Sequence, residues 1–446
     1  MSGVFNKLTS IKPSAWFVLL SIVFGVVLIL LIPPFQNPDE PAHTYRAYHL
    51  ASGHLFGAQA DQRSGGLVPA WLISLDSATR YLRNNPDAKS SSQYSAISFT
   101  NGKRFADFPN VSYYSPIGYL PFACTAKILS VTGVRGIPAI RILRLTGLFI
   151  WVLVGFFFIK RIPDSGDLVL VTGALPGTLA LVSAVSPDGI TIALTLLWLL
   201  MVLEVNRTRW LPALLLGLLF TLQRPNWWPV TWVVFLVKQT GWKTWQRWIV
   251  IVLPVIGVML FLALVKTSFI PFNEYNPAFR NGLQINPGVN PMMQLKLVTE
   301  DPVFFLHAFV DTWMDIWGSV FRHLIGKFGW GPNYIGWGTT VLLFVAIFWA
   351  SLANRISLYR LEKVFLLWTG GSIILITSLI LYLQWNEVGA SYIYGINGRY
   401  LLPLLPILMG AMPWKIAPIK QQSLLIAMVL IVSEADLILH VINRYY

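Results

Sequence analysis

Pro33-Pro34-Phe35-Gln36-Asn37-Pro38-Asp39-Glu40-Pro41-Ala42-His43-Thr44-Tyr45-Arg46-Ala47-Tyr48 follows directly on an apolar run at 15–32 that is long enough to cross a bilayer. Its first three prolines stop that helix and set two adjacent carboxylates where the chain leaves the lipid. Pro41 suits the first turn of a new helix, where its missing N–H is not needed, so Glu40 or Asp39 falls at the cap. This second helix is expected to run to Ser52-Gly53 and to bring His43 and Arg46 round beneath the acids. Two carboxylates, an imidazole and a guanidinium at a membrane rim read either as a site or as a capped interfacial helix.

Outward from this stretch, the composition places the chain in its class. Hydrophobic residues make up 55%, charged residues 12%, and the mean hydropathy is +0.61, which implies a polytopic membrane protein rather than a soluble one. Trp and Tyr are abundant, as suits residues that collect at membrane–water boundaries. The formal charge of +14 does not point to nucleic acid, because the basic residues are scattered between apolar runs instead of massed on one face. Cys124 stands alone, so no intrachain disulfide is available. The first apolar run has Lys7 and Lys12 before it and no small-x-small cleavage site after it, and reads as a retained signal anchor.

Apolar runs predict an all-α integral membrane fold with about eleven transmembrane helices, between nine and thirteen, in one domain spanning 1–446. Spans are expected at 14–33, 138–159, 167–185, from 190 back towards Arg207, 247–266, 336–353, 361–384, 400–413 and 421–441. Two short runs at 210–223 and 226–237, broken by Arg224-Pro225, read as two helices or as one re-entrant hairpin. Polar loops at 34–137 and 268–335 carry amphipathic pieces at 39–52, 68–83, 114–131 and 301–327, suited to lying along a membrane surface.

Charge orients this map. With the N-terminus in the cytoplasm, Lys7, Lys12, Lys160, Arg161, Arg207, Arg209, Lys238, Lys243, Arg247, Arg355, Arg360, Lys363, Lys415 and Lys420 all fall inside, as the positive-inside rule asks. Both long loops and most acids then face outward, so the expected working face is periplasmic or extracellular.

An ionised carboxylate at a helix N-terminus, favoured by the orphan N–H groups, could take a proton from an attacking sugar hydroxyl. Neighbouring acids cannot flank one glycosidic bond, so Asp39 and Glu40 fit a single general base and not a hydrolase pair. His43 could orient that base or bind substrate, and is otherwise a structural histidine. Arg224, in Gln223-Arg224-Pro225-Asn226, and Arg399, in Gly398-Arg399-Tyr400, could grip a lipid phosphate or merely anchor at the interface. Asp188, in Ser186-Pro187-Asp188-Gly189, doubles as an ordinary turn residue. Tyr114 and Tyr119 offer rings for a sugar or prenyl chain, and Arg141 and Arg144 are further phosphate candidates. Glu434 and Asp436 sit inside an apolar helix, where a transporter would keep coupling residues. The sequence contains no metal-ligand spacing, Walker loop, dinucleotide turn or Ser/His/Asp signature.

Pro38-Asp39-Glu40-Pro41-Ala42-His43-x-Tyr45-Arg46-Ala47-Tyr48, Tyr114-Ser115-Pro116-x-x-Tyr119-x-Pro121, Ser186-Pro187-Asp188-Gly189 and Gly398-Arg399-Tyr400-x-x-Pro403 occur in that order. Together they resemble a family of bacterial polytopic membrane proteins, formerly of unknown function, that is similar to GT-C superfamily glycosyltransferases. The resemblance covers roughly 33–410 and implies a GT-C-like fold in the bacterial inner membrane. It implies an inverting enzyme that moves a sugar from a polyprenyl phosphate such as undecaprenyl phosphate to a glycan or glycolipid acceptor, an O-antigen or other cell-envelope polysaccharide. Asp39 would be the general base with Glu40 as partner or substitute. His43, Arg46, Tyr114, Tyr119, Asp188, Arg224, Arg399 and Tyr400 would bind substrate. Some GT-C members use a divalent cation and others do not. A family-like Lys-x-x-Tyr turn is replaced here by Gln223-Arg224-Pro225-Asn226, which leaves Arg224 as its substitute. The rival expectation is a transporter or flippase of lipid-linked sugars.

Overall fold

The computed structural model describes residues 10–83, 85–90, 99–203, 210–236, 241–271, 274–276, 286–354, 358–412, 416–419 and 421–446. Of the basic residues that orient the chain, Lys7, Arg207, Arg209, Lys238, Arg355, Lys415 and Lys420 lie outside the described residues. The chain is mostly helical. Among the described residues, five helices are long and apolar enough to cross a membrane: α1 (Pro13–Leu31), α5 (Gly136–Arg161), α10 (Thr244–Val265, continuing to Ser268 as a 3-10 turn), α14 (Arg360–Trp385) and α16 (Gln422–Tyr445). A bent pair, α6 (Gly166–Gly173) with its leading turn and α7 (Pro176–Val182), makes a sixth if counted as one span. Shorter apolar helices are α8 (Pro187–Leu203), α9 (Trp210–Gln223) and α13 (Trp337–Ala353).

The remaining helices belong to the polar segments and to the loop before α16. They are α2 (Glu40–Ala51), α3 (Ala70–Thr79), α4 (Leu120–Thr132), α11 (Pro291–Glu300), α12 (Pro302–Gly326) and α15 (Leu405–Gly410).

Four expectations change. The span expected at 167–185 is broken, its halves bent by 79°. Pro176 has no N–H to give and its ring crowds the carbonyl one turn back, at Thr172. That freed carbonyl accepts instead from the Thr178 hydroxyl at 2.9 Å. The span expected at 400–413 is a 3-10 run, Gly398–Leu404, leading into the six-residue α15, with Pro403 inside the first piece. The second short run, expected at 226–237, is likewise wound as a 3-10 helix, Pro225–Phe235, around Pro229.

The fourth change is a small antiparallel sheet, β1 (Ala58–Ala60), β2 (Arg63–Pro69) and β3 (Lys103–Asp107), in a chain expected to be all-α. The Ala60–Arg63 pair closes a two-residue hairpin whose Asp61 and Gln62 both take positive φ, 51° and 56°. Such turns match the natural twist of the strands they join. In β2–β3, Gly65 faces Asp107 and Pro69 faces Lys103.

Two cores result. The larger joins the long helices through residues such as Phe17, Trp151, Leu175, Trp198 and Leu430. The second packs the 34–137 segment onto the bundle, with Phe35, Tyr45, Tyr48, Val68, Trp71 and Phe122 against Leu143 of α5 and Val185 and Ile190 beside α8. Burying rings of this size contributes most of what holds the polar segment in place. The opposite faces of the long helices are apolar and exposed, with Met259, Leu260 and Leu264 on α10 as examples, and these meet lipid.

Candidate functional site

The site begins with the backbone of Asp39. Its φ of 62° and ψ of −1° place it in the left-handed region, just before α2. Asp and Asn are the side chains that visit this region most readily. In this conformation the carboxylate does not cap its own helix, and it turns outward with 29% of its side chain exposed.

Four distant stretches meet it there. Arg399 Nη2 donates to Asp39 Oδ2 at 2.6 Å, and Arg399 Nε lies 3.9 Å from Asp188 Oδ2. Asp188 also accepts from Arg224, whose Nη1 reaches the Tyr114 hydroxyl at 3.2 Å. Tyr400 lies beneath both guanidiniums, its ring centre 5.3 Å from Arg399 and 6.0 Å from Arg224. The result is a continuous chain of alternating charge from Asp39 to Tyr114.

Local sequence explains each placement. Arg399 follows Gly398, where a Cβ would stand 2.3 Å from the Val320 carbonyl oxygen of α12. Only glycine lets the 3-10 run lie against that helix. The Asn397 side chain accepts the Arg399 N–H at 3.2 Å. Asp188 opens α8, with its own N–H donating to Ser186 Oγ at 3.2 Å. Beside Arg224, Gln223 accepts the Gly118 N–H at 2.8 Å, which ties the Tyr114–Pro121 stretch to the end of α9.

His43 is buried one turn into α2, with Nδ1 2.8 Å from the Tyr119 hydroxyl. Burial outweighs the attraction of Asp39 and Asp188 and lowers its pKa to about 4, so the ring is neutral at pH 7. For Asp39, burial pushes the pKa up, but Arg399 and then His43 pull harder the other way. The carboxyl is held below its ordinary value of 3.8.

The two adjacent acids have separate places. Glu40 is fully buried, with Oε1 and Oε2 each 2.7 Å from the Arg144 guanidinium and Oε1 accepting the Val185 N–H at 3.1 Å. Arg144 also donates to the carbonyls of Ile32 and Pro33, at 2.6 and 2.9 Å. This sealed network ties α1, α2, α5 and the turn before α8 together. Glu40 is thus enclosed in this network, and Arg144, expected as a phosphate candidate, is committed to it. Arg141 donates to the Leu30 carbonyl at 3.3 Å and stands apart from the cluster. Arg46, expected to bind substrate, is buried and donates to the carbonyls of His54 and Leu55. It holds the loop that follows α2 and lies 6.0 Å from the Tyr119 ring centre, with no bond to the cluster among the described residues.

Among the described residues, one cavity is lined by Asp39 and two by Arg399. A wide groove of about 700 Å³ has Asp39 on its wall. A pocket of about 90 Å³ is bordered by Tyr114, Asp188, Arg224, Arg399 and Tyr400. A smaller one, about 50 Å³, is lined by Asn37, Ser186, His323, Lys327, Asn397 and Arg399 and by no carboxylate. Two buried nitrogens among those residues, His323 Nδ1 and Arg399 Nε, have no hydrogen-bond partner. Burial and the like charge of Arg399 hold the Lys327 pKa below its ordinary 10.5. A pocket of donors without an acid is suited to an oxyanion. Sequence reasoning missed Lys327 and His323. Lys327 ends an amphipathic helix, where a basic residue is ordinary, and nothing local reports that Arg399 lies across from it.

A divalent cation does not fit this arrangement, because Asp39 and Asp188 each already face a guanidinium. Among the described residues no group of three or more His, Cys, Asp and Glu is placed to hold a metal.

No curated protein and no solved structure matches the chain. A family model does, over residues 22–408, a range that holds every member of the cluster from Asp39 to Tyr400. The chain therefore belongs to the family described as "Predicted membrane protein (DUF2142)".

Proposed function

We propose that the protein is an inverting membrane glycosyltransferase that takes a sugar from a polyprenyl-phosphate donor and passes it to a glycan or glycolipid acceptor on the outer side of a bacterial inner membrane. The observation that carries this reading is a carboxylate, Asp39, on the wall of a wide groove and paired at 2.6 Å with Arg399, which itself lines a small pocket that holds Lys327 and no acid. An acceptor hydroxyl in the groove gives its proton to Asp39 as its oxygen attacks the anomeric carbon. The anomeric C–O bond to phosphate breaks, and the leaving phosphate keeps the electron pair. Arg399, Lys327 and His323 stand where that developing charge would be stabilised. Arg224, first assigned to phosphate, is matched by Asp188 and serves better to hold Asp188 and Tyr114 in place.

The test is transfer by purified protein in detergent from a polyprenyl-phosphate sugar, with no membrane gradient. Product is expected, and Lys327→Met should lower kcat by at least about tenfold, the loss of one electrostatic donor. Transfer unaffected by that change would remove the phosphate role.

The pH profile provides a second check. Asp39 must be ionised and is so above its depressed pKa, and His43 gains charge only near pH 4. The kcat/KM profile is expected to be level from pH 5 to 7 and to fall only as pH drops through about 4. An acid limb centred near pH 6 would mean a different base.

Carriage of a lipid-linked sugar has one feature in its favour. Glu434 lies buried in α16, and neither of its carboxyl oxygens has a hydrogen-bond partner. Its neighbour Asp436 is occupied, accepting from the Gly336 N–H at 2.8 Å and the Thr339 hydroxyl at 2.7 Å at the start of α13. A carrier would yield no product in the detergent assay.

A further inference from the structure

The wide groove has an electrical character that the transfer chemistry does not require. Arg63, Arg80, Arg83 and Arg104 line it, together with Asp39, Asp76 and Asp107, and Asp39 is already paired with Arg399. Asp76 and Asp107 are sunk, with side chains 4% and 9% exposed. The guanidiniums stand above them, Arg80 at 63% and Arg63 at 31% exposed. Asp76 alone serves two of them, Arg80 and Arg83. Arg104, on β3, is exposed, and among the described residues its guanidinium makes no ion pair or hydrogen bond. The groove therefore presents positive charge to whatever enters it, although the acids are close by.

It also presents rings. Trp330 and Trp385 line the same groove, and Arg83 lies 5.4 Å from the Trp330 ring centre. The Trp330 indole N–H donates to the Phe35 carbonyl at 3.1 Å, which fixes the ring beside the loop that carries Asp39. Flat indoles suit the apolar faces of sugar rings, and forked cations suit carboxylate or phosphate substituents.

We propose that this groove binds an extended anionic oligosaccharide, so that the acceptor of the reaction proposed above is an acidic glycan and not a neutral one. The inference rests on the transferase reading for the word acceptor, but its test reads binding and not turnover. About 700 Å³ accommodates several sugar units leading up to Asp39.

The experiment is titration of the purified full chain with three probes of equal length: a neutral glucose tetrasaccharide, a hexuronic acid tetrasaccharide and a phosphate-substituted glucose tetrasaccharide. Microscale thermophoresis at low and high salt gives the affinities. One or both acidic probes should bind at least about tenfold more tightly than the neutral one, an advantage that shrinks with added salt. Arg104→Ala and Arg80→Ala, both at exposed side chains, should each cut that advantage several-fold. The two acidic arms separate a carboxylate preference from a phosphate preference. Equal affinity for neutral and acidic probes, no binding of any probe, or indifference to both arginine changes would overturn the proposal. Glycerol phosphate, titrated beside the three as a headgroup control, would also overturn it by binding as tightly as the acidic tetrasaccharides, since a lipid headgroup would then suffice. A protein that prefers the acidic chains yet transfers no sugar supports this inference while refuting the function proposed.

Discussion

Asp39→Asn is expected to lower sugar transfer by about 10²–10⁴-fold, the range contributed by a positioned general base. The amide keeps the shape of the carboxylate and still offers an oxygen to Arg399 Nη2, 2.6 Å away in the native protein. It also tolerates the positive φ of 62°, because Asn enters the left-handed region as readily as Asp. The variant should therefore fold, run as a single species in detergent and bind donor, while kcat falls. Transfer at the native rate would leave the proposal without a base. Loss of folded protein would instead make the Asp39–Arg399 pair structural.

The second large effect concerns Glu40 and Arg144. Both are all but inaccessible, at 0% and 1% side-chain exposure, and each satisfies the other with two hydrogen bonds of 2.7 Å. Removing one partner strands a buried charge, which typically costs about 3–5 kcal/mol. Either Glu40→Gln or Arg144→Met should sharply reduce the folded fraction that survives a thermal challenge, read by fluorescence-detected size exclusion. Combining them removes both charges, and the double variant should recover much of the loss because the desolvation cost disappears with them. Sugar transfer by the recovered double variant would show that Glu40 positions the site and does not act in it. Single variants as stable as the native protein would contradict the sealed network.

Much of this arrangement could be read from the residues alone, but unevenly. The motifs around Asp39, Tyr114, Asp188 and Arg399 were identifiable because prolines and glycines punctuate apolar runs there, and the structure brings those four together. Arg224 joins them. What the sequence could not decide was which of two adjacent acids faces the cleft. That choice turns on a single backbone conformation, and neighbouring residues at a helix start point in different directions. Arg144 carried a signal that was underused: a cation amid apolar residues of a long helix needs a specific partner.

The sheet was hidden for a different reason. The Val68–Arg83 stretch has helical periodicity in its second half, and the pairing of β2 with β3 is set by residues far along the chain. The break at Pro176 was masked by unbroken hydrophobicity on either side. Lys327 is the clearest limit, since its meaning comes only from what lies opposite.

The left-handed backbone at Asp39 narrows what any engineer, or any lineage, can do at that position. Glutamate would supply the same functional group, yet its longer, costlier fit to a positive φ should leave Asp39→Glu poorer in both stability and turnover than its chemistry suggests. Chemical role and chain path are thus specified by one side chain, and the position has almost no room to drift in size while keeping its charge.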